Sequence, residues 1–483
     1  MASDGQARAI PLGAEATPSR RSLSVLNPAT EEVAARVADA GPREARIAVE
    51  RAVSAFESWR RVPPVHRSRL LLAGAERLES EADELARTVT LENGKPLAEA
   101  LSEVNFAVGY LRWFAEEGRR AYGQSVPSPD PARRLLTTLE PVGVVGAITP
   151  WNFPATMVTR KIAPALAAGC TVVLKPAEET PLTALAIARA LSDAGLPEGV
   201  LTVLPSSRPA EIARVFYEHP AVRRLSFTGS TDVGREVMKG AAATLKGVGL
   251  ELGGNAPAIV FDDADLELAV DEIVTVKFRR VGGQSCIAAN RIYVHEAVYA
   301  EFLEMLLEAV GDLRIGDGLH GDTDLGPLIN DAGVRKVRRL VADAEARGGV
   351  TFRGEAPAGR GYWHPATVVD GASEEMLLAR EEIFGPVAPL YRFSGEEEAV
   401  IRANDTPFGL AAYLFTRDLD RAFRVGEAIE AGFVGVNDGH GYVHEVPFGG
   451  YKESGLGREG GSDGLREYME TKTWSMRSER AAA

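Results

Sequence analysis

The sequence predicts an α/β protein built around parallel β-sheets, and three observations support this fold class. Strand-like and helix-like segments alternate between residues 148 and 255, and a second alternating series follows residue 286. Repeated βα units of this kind form parallel sheets with helices on both faces. The chain has 483 residues, more than one ordinary hydrophobic core accommodates, so we expect two or three domains.

The first half of the chain begins with helices and then changes to alternating elements. Apolar residues recur three and four positions apart between residues 42 and 120, which predicts helices. Strands are predicted at 135–139, 142–148, 171–174, 200–204, 224–227 and 249–252, and helices at 181–194, 211–217 and 232–243. Thr180 is expected to cap the helix that starts at residue 181, and Gly195 to end it.

The second half repeats the alternation after Cys286. Strands are predicted at 291–294, 387–391 and 433–436, and helices at 297–313, 332–347, 396–404 and 419–429. Each series is long enough to form a domain of its own.

The composition excludes several classes of protein. Hydrophobic residues make up 45% of the chain and charged residues 25%, with no apolar run of the roughly 18 residues that a membrane span needs. The net charge of -14 argues against nucleic acid or an acidic membrane as a partner. The seven histidines show no HxH or HExxH spacing, so no metal site is predicted.

The two cysteines, Cys170 and Cys286, cannot form a disulfide framework and indicate a reducing compartment, so a cytoplasmic protein is expected. Residues 1–24 lack the apolar region of a signal peptide. We expect residues 1–21 and 478–483 to be flexible tails. Cys170 precedes a buried strand and is interpreted as a core residue.

Three residues have the chemistry that a cysteine-based reaction needs. Cys286 lies in a loop of small residues, where a substrate carbon can approach a thiolate closely. Glu251 stands alone among apolar residues at a strand end, where burial would suit it to general-base work; it could also simply bond a neighbouring loop. Asn152 lies between two prolines and is either a donor to an oxyanion or an Asx-turn residue.

Two segments at strand ends are candidates for binding a nucleotide. A glycine turn with Gly229, Ser230 and Gly234 joins a strand to a helix, where backbone N–H groups could meet a phosphate. Lys175 and Glu178 follow another strand and could hold ribose hydroxyls. Either segment alone could be purely structural, because the turn lacks the GxGxxG spacing and strand ends often carry solvated ion pairs.

Together these segments resemble the aldehyde dehydrogenase superfamily over residues 27–472. The segments that carry the resemblance are Thr149-Pro150-Trp151-Asn152-Phe153-Pro154, Lys175-Pro176-Ala177-Glu178, Phe227-Thr228-Gly229-Ser230, Glu251-Leu252-Gly253-Gly254, Gly283-Gln284-Ser285-Cys286, Glu381-Glu382-Ile383-Phe384-Gly385-Pro386 and Pro447-Phe448-Gly449-Gly450. Within the superfamily the chain is most similar to succinate-semialdehyde dehydrogenases, through segments such as 159–161, 277–279 and 454–460.

The resemblance implies a Rossmann-type parallel-sheet domain for NAD at 22–121 and 142–252, an α/β catalytic domain at 253–453, and a small β oligomerisation arm at 122–141 and 466–477. A homodimer or homotetramer is expected, because exposed β arms pair with other subunits.

The resemblance also implies roles for the catalytic residues. Cys286 would attack the aldehyde carbon, Asn152 would hold the oxyanion, and Glu251 would activate the water that hydrolyses the thioester. Arg160 and Arg279 would hold the carboxylate of the substrate, although each could instead form a structural ion pair.

For the cofactor, the resemblance places Lys175 and Glu178 at the adenosine ribose and Gly229 and Ser230 beside the pyrophosphate, with Gly234 as a further cofactor-binding residue. Glu382 would hold the nicotinamide ribose, Phe384 would lie against that end of the cofactor, and Trp151 would line the entrance to the active site. Glu178 favours NAD over NADP, since a carboxylate bonds a ribose 2′-hydroxyl and repels a 2′-phosphate.

Three departures from the succinate-semialdehyde dehydrogenase pattern bear on the substrate. The loop at 438–446 contains no serine but has His440, Tyr442 and His444. The stretch from Arg279 to Cys286 is one residue longer than usual, with an extra glycine. Position 288 is an alanine, which excludes a redox disulfide with Cys286. Succinate semialdehyde is the first expectation; glutarate semialdehyde, a sulfonated or hydroxylated aldehyde, and a catalytically silent protein are the alternatives.

Overall fold

The structure is a computed structural model that describes residues 21–477. The two expected tails therefore lie outside the described residues, apart from Arg21. The chain begins with an antiparallel pair, β1 (Ser22–Asn27) and β2 (Glu32–Ala38). Four helices and two strands follow: α1 (Pro42–Trp59), α2 (Pro64–Ser80), α3 (Ala82–Asn93), α4 (Leu97–Glu117), β3 (Gln124–Val126) and β4 (Arg133–Pro141). The helices predicted between residues 42 and 120 are confirmed.

The first alternating series has nine elements. They are β5 (Val144–Ile148), α5 (Thr156–Ala168), β6 (Thr171–Lys175), α6 (Pro181–Asp193), β7 (Leu201–Val203), α7 (Pro209–Glu218), β8 (Val222–Thr228), α8 (Thr231–Ala242) and β9 (Gly247–Glu251). The order of the predicted elements is confirmed. Helix α5 was not predicted, and it is the helix that carries Arg160.

The second series is longer. It contains β10 (Ala256–Val260), α9 (Leu266–Val274), β11 (Ala289–His295), α10 (Tyr299–Gly311), α11 (Asp331–Ala346), β12 (Val350–Arg353), β13 (Thr367–Asp370), α12 (Leu377–Arg380), β14 (Val387–Phe393), α13 (Glu396–Asn404), β15 (Phe408–Gly409), β16 (Ala411–Phe415), α14 (Leu419–Ala428) and β17 (Phe433–Val436). A π-helical turn (Thr275–Arg279) and a 3-10 turn (Val281–Gly283) precede β11. The chain ends with β18 (Tyr451–Lys452), β19 (Gly455–Leu456), α15 (Gly461–Arg466) and β20 (Met469–Arg477).

Two large sheets carry the site. The six-stranded sheet has the order β19-β9-β8-β5-β6-β7 and is parallel except for β19. The seven-stranded sheet has the order β12-β13-β14-β11-β10-β16-β17 and is parallel except for β12. The α/β fold class is thus confirmed. Strand β5 is the switch point of the first sheet, because β6 and β7 follow on one side of it and β8 and β9 follow on the other.

Helices cover both faces of the six-stranded sheet. Helices α2 to α6 share one buried core with β5, β6 and β7, whereas α1, α7 and α8 share another core with the opposite face. Helix α5 is buried along its whole length, including Arg160 and Lys161. Two cations inside an apolar core require partners, because an unpaired buried charge is very costly.

A third sheet, β20-β4-β3, is antiparallel and joins the last described strand to the middle of the chain. Its last strand begins at Met469, since residues 461–466 form α15, so the strand starts slightly later than the predicted arm. The boundaries of the three predicted domains otherwise stay a prediction.

Candidate active site

Cys286 is half-buried in the loop between the Val281–Gly283 turn and β11. Gly283 has a φ of 74° and a Cβ there would lie 2.4 Å from the carbonyl oxygen of Gly385, so only glycine fits. Burial raises the pKa of the Cys286 thiol to about 12, helped by Glu382 and Glu251 and opposed by Arg160. Before any partner binds, the thiol is therefore protonated at neutral pH.

Asn152 lies between β5 and α5 and reaches the loop of the cysteine. Its Nδ2 donates to the carbonyl oxygen of Gln284 at 3.0 Å, and its buried Oδ1 has no hydrogen-bond partner. Its own carbonyl oxygen accepts from Lys95 Nζ at 2.9 Å. Because an amide nitrogen has two hydrogens, one remains for a group bound beside Cys286.

Glu251 is the last residue of β9 and is buried, with Oε2 lacking a hydrogen-bond partner. Burial raises its pKa well above the usual range; Glu459 adds to this, while Arg160 and Lys161 oppose it. The negative charge of Glu251 in turn raises the pKa of the Cys286 thiol. The structure thus brings Glu251 close to the cysteine, as the sequence predicts, in a site where its proton is held unusually tightly.

The buried cations of α5 are paired with Glu459. Arg160 Nε lies 2.9 Å from Glu459 Oε2, and Lys161 Nζ lies 2.5 Å from Glu459 Oε1. Burial raises the pKa of Glu459, but Lys161 and Arg160 outweigh it and lower the pKa overall. Arg160 also stacks over Phe448, with its guanidinium carbon 4.2 Å from the ring centre, and its Nη2 has no partner.

The structure corrects the prediction for Arg279. This residue ends the π-helical turn, its side chain is 46% exposed, and it bonds Asp271 at 3.3 Å, away from the cysteine. Its neighbour Arg280 is buried and faces inward. Between Arg280 and Cys286, the residues Val281, Gly282 and Gly283 all have φ values in the left-handed region. The extra glycine expected in this stretch lies within that run.

Arg280 lies among polar groups of the loop at 438–446. Its Nη2 lies 3.3 Å from the carbonyl oxygen of Gly439 and 3.3 Å from Nδ1 of His440, and its guanidinium carbon is 5.3 Å from the ring centre of Tyr442. Its Nη1 is buried without a partner. Burial lowers the pKa of Arg280, but Tyr442, Glu99 and Cys286 are among the groups that raise it overall.

The predicted adenosine-ribose residues lie at the end of β6. Lys175 Nζ and Glu178 Oε2 are 2.6 Å apart, with the lysine side chain 3% and the glutamate 39% exposed. Gly229 and Ser230 follow β8 across the switch point, and Ser230 caps α8 by accepting from the Val233 N–H at 3.4 Å. Ligands of open parallel sheets bind at this edge, and these hydroxyl, ammonium and N–H groups fit a dinucleotide.

Packing accounts for glycine at the two turn positions. A Cβ at Gly229 would lie 2.5 Å from the Phe227 ring, and one at Gly234 would lie 2.4 Å from Leu252. The pyrophosphate role of this turn stays a prediction, since both glycines are also needed for helix and strand to approach.

The other predicted cofactor residues lie near the loop of the cysteine. Glu382 Oε1 accepts from the Gly254 N–H at 3.0 Å, and burial raises its pKa. The rings of Trp151 and Phe384 meet edge to face at 5.4 Å. A nicotinamide dinucleotide would bind along the edge of the six-stranded sheet, between these groups and the end of β6.

Sequence reasoning missed Arg280 and the partners of α5. The resemblance carried by Lys277-Phe278-Arg279 points to Arg279, and its spacing does not reveal that the next residue, Arg280, is the buried one. Lys161 and Glu459 are 298 residues apart, so no local spacing connects them. Two adjacent cations within an apolar helix were the available signal, because they require a buried acid.

Comparisons with known proteins agree with this arrangement. A model of the Aldehyde dehydrogenase family matches residues 15–474. The chain belongs to the aldehyde dehydrogenase family. The solved structure of succinate-semialdehyde dehydrogenase from Burkholderia pseudomallei superposes with a TM-score of 0.95 at 46% identity, covering 98% of each chain. The predicted family and fold class are both confirmed.

Three relatives are similar over nearly the whole chain. A mitochondrial succinate-semialdehyde dehydrogenase of Arabidopsis thaliana is 49% identical, over 94% of this chain and 85% of the relative. The NADP(+) succinate-semialdehyde dehydrogenase of Escherichia coli is 47% identical, over 93% of each. A glutarate-semialdehyde dehydrogenase of Pseudomonas putida is 47% identical, over 94% of each.

Among residues 21–477, none of the helices combines the length and the hydropathy that a membrane span requires. No group of three or more His, Cys, Asp or Glu side chains in the same residues could hold a metal ion.

Proposed function

We propose that this protein oxidises a small aldehyde bearing an anionic group, with succinate semialdehyde first, to the carboxylic acid. The observation that carries this proposal is the pair of buried arginines beside Cys286. Arg160 Nη2 and Arg280 Nη1 are buried without partners, and each guanidinium interacts electrostatically with the cysteine. A buried cation with free donors calls for an anion, and guanidinium matches a carboxylate with two parallel hydrogen bonds.

Each of the two arginines packs against one ring of an aromatic pair. Arg160 lies over Phe448 and Arg280 beside Tyr442, and the two ring centres are 6.1 Å apart. An anion between the guanidiniums would leave a short aliphatic chain against these rings, with the aldehyde toward Cys286. Glutarate semialdehyde and sulfonated or hydroxylated aldehydes share this chemistry and are the alternatives.

In the reaction, the Cys286 thiol passes its proton by way of Glu251 to solvent, and Sγ attacks the aldehyde carbon to form a thiohemiacetal. The second hydrogen of Asn152 Nδ2 and the backbone N–H of Cys286 stabilise the oxyanion. Bound nicotinamide supplies the hydride acceptor. Glu251 then takes a proton from the water that hydrolyses the thioester, a role suited to a buried carboxylate with a raised pKa.

Glu178 supports NAD as the preferred cofactor. Its carboxylate is held by Lys175 at the end of β6, where it can accept a bond from a ribose 2′-hydroxyl. A 2′-phosphate would meet a negative charge there. The name of the Escherichia coli relative contains NADP(+), so a preference for NAD would be a difference from that relative.

Cofactor reduction with a series of aldehydes tests the substrate proposal. The enzyme should use aldehydes with a terminal carboxylate more efficiently than neutral aldehydes of equal length. Arg280→Ala should raise KM for the carboxylated aldehyde by about a hundredfold, as expected for losing a buried charged contact. Arg279→Ala is the matched control and should leave KM unchanged. A wild-type preference for neutral aldehydes would refute the anionic substrate, and full activity of Cys286→Ala would refute the mechanism.

A further inference from the structure

The peptide that follows Arg280 has an unusual conformation. Val281, Gly282 and Gly283 have φ values of 50°, 57° and 74°, all in the left-handed region. Glycine adopts this region freely, but a β-branched residue such as valine does so only under constraint. Something must therefore hold Val281, and through it the direction in which Arg280 leaves the chain.

Glu99 supplies that constraint on the N–H side of Val281 from α4, while the backbone N–H and Nε2 of Gln284 donate to the Val281 carbonyl oxygen. Glu99 Oε1 accepts from the Val281 N–H at 2.8 Å, and the Glu99 side chain is only 19% exposed. Its Oε2 is buried without a hydrogen-bond partner. Since φ is the rotation about the bond between N and Cα, fixing the N–H of Val281 fixes the plane of the Arg280–Val281 peptide relative to the rest of the loop.

The cysteine end of the loop is held by other contacts. Gln284 Nε2 donates to the carbonyl oxygen of Val281 at 3.0 Å, and Gln284 Oε1 accepts from the Ile329 N–H at 2.9 Å. Asn152 holds the Gln284 carbonyl as well. Losing the Glu99 contact should consequently release the Arg280 end while leaving Cys286 in place.

Besides this bond, Glu99 interacts electrostatically with two cations, Lys95 and Arg280. Lys95 Nζ lies 4.0 Å from it but bonds Glu103 at 2.6 Å, so Lys95 remains paired if Glu99 is removed. Burial raises the pKa of Glu99 to about 7, opposed by Lys95 and by the bond from Val281. Keeping a carboxyl in this buried place is costly, which is consistent with a specific role for it.

We infer that Glu99 is a positioning residue for substrate specificity: it fixes the left-handed peptide at Val281 and thereby directs Arg280, rather than Arg279, toward the anionic end of the substrate. This inference rests on the proposed function. Glu99 does not touch the reacting atoms, and its effect passes through Arg280.

The test compares the kcat/KM ratio for a carboxylated and a neutral aldehyde of equal length. Glu99→Ala should lower this ratio about tenfold, through KM for the carboxylated aldehyde, because a valine freed from its constraint leaves the left-handed region. Glu99→Gln keeps an acceptor oxygen and should keep the ratio near that of the wild type. Adding Val281→Gly to Glu99→Ala should partly restore the ratio, since glycine adopts this φ readily.

The outcomes separate this inference from the proposed function. If Arg280→Ala lowers the ratio and Glu99→Ala does not, the positioning role is wrong while the anionic substrate stands. If Arg280→Ala leaves the ratio unchanged, the proposed function fails and this inference fails with it. Hydrogen exchange in the wild-type protein gives a readout that needs no variant to fold: the Val281 amide must be protected, and rapid exchange there would overturn the inference.

Discussion

At the scale of single residues, burial favours the uncharged forms of both the proposed nucleophile, Cys286, and the proposed base, Glu251. Burial raises the pKa of Cys286 and of Glu251, and each carboxylate near the thiol adds to the effect. A thiol in this state is protected from oxidation and alkylation, since only the thiolate reacts quickly. Reactivity therefore has to be supplied when substrate and cofactor bind, and it is not stored in the free enzyme.

Alkylation of the free enzyme measures this directly. With a thiol pKa of about 12, the rate of Cys286 alkylation by iodoacetamide should rise about tenfold per pH unit between pH 7 and pH 9, without a plateau. Mass spectrometry would locate the label. Cys170 is fully buried and should stay unlabelled, and a plateau below pH 8 would contradict a raised pKa.

Glu178 gives a second test at this scale. Wild-type kcat/KM should be higher with NAD than with NADP. Glu178→Ser removes the charge and frees Lys175 for a phosphate, so efficiency with NADP should rise by about tenfold or more. Glu304→Ser, an exposed glutamate on α10, is the control and should change neither value. A wild-type enzyme that favours NADP would show that Lys175 outweighs Glu178.

At the scale of elements, α6 is capped by a distant residue. Thr180 is at the N-cap position, as the sequence predicts, but its hydroxyl makes no capping bond. Glu92, at the end of α3, instead accepts from the Leu182 N–H at 2.7 Å and the Thr183 N–H at 2.9 Å. Helix α6 is thereby tied to the helical layer that covers the sheet.

Removing this cap should destabilise the protein. Glu92→Ala leaves buried N–H groups without partners, and we expect a loss of about 2–4 kcal/mol in the free energy of unfolding, measured with denaturant. Thr180→Val is the matched control: the buried Thr180 hydroxyl has no partner, so its loss should be nearly neutral. Equal losses in the free energy of unfolding for the two substitutions would show that Thr180 does cap the helix.

The elements themselves were largely predictable, because they follow from local periodicity. Helix α13 and strand β17 have the predicted bounds, and β6 differs by one residue. Cys286, Glu251 and Asn152 were recognisable from their local settings, and the structure brings them together. Arg280 and the Glu92 cap were not predictable, since one depends on how an inserted residue is accommodated and the other on residues 90 positions apart.

At the scale of the whole molecule, the sheet β20-β4-β3 leaves apolar side chains in solvent. Val126, Leu136, Trp474 and Met476 are between 37% and 47% exposed. Within residues 21–477, the outer strands β3 and β20 each have one edge without a partner strand, and such edges favour pairing with a second chain. These features support the proposal that this sheet is an oligomerisation arm.

Sedimentation of the purified protein tests the arm. The wild type should sediment as a dimer or tetramer at micromolar concentration, and Leu136→Glu should shift it toward smaller species, because a buried charge at the contact is unfavourable. Leu419→Glu is the control, since Leu419 is 70% exposed on α14, outside the arm. A wild-type monomer would refute the arm as an interface.

The pairing of α5 with Glu459 also determines when, during synthesis of the chain, the first sheet can finish folding. Lys161 leaves the ribosome 298 residues before its counter-ion, a delay of roughly 15 to 60 seconds at ordinary rates of translation. During that time Arg160 and Lys161 cannot be buried without great cost, so α5 has to remain partly hydrated. The first sheet, although it is synthesised early, can close its core only when almost the entire chain has been translated.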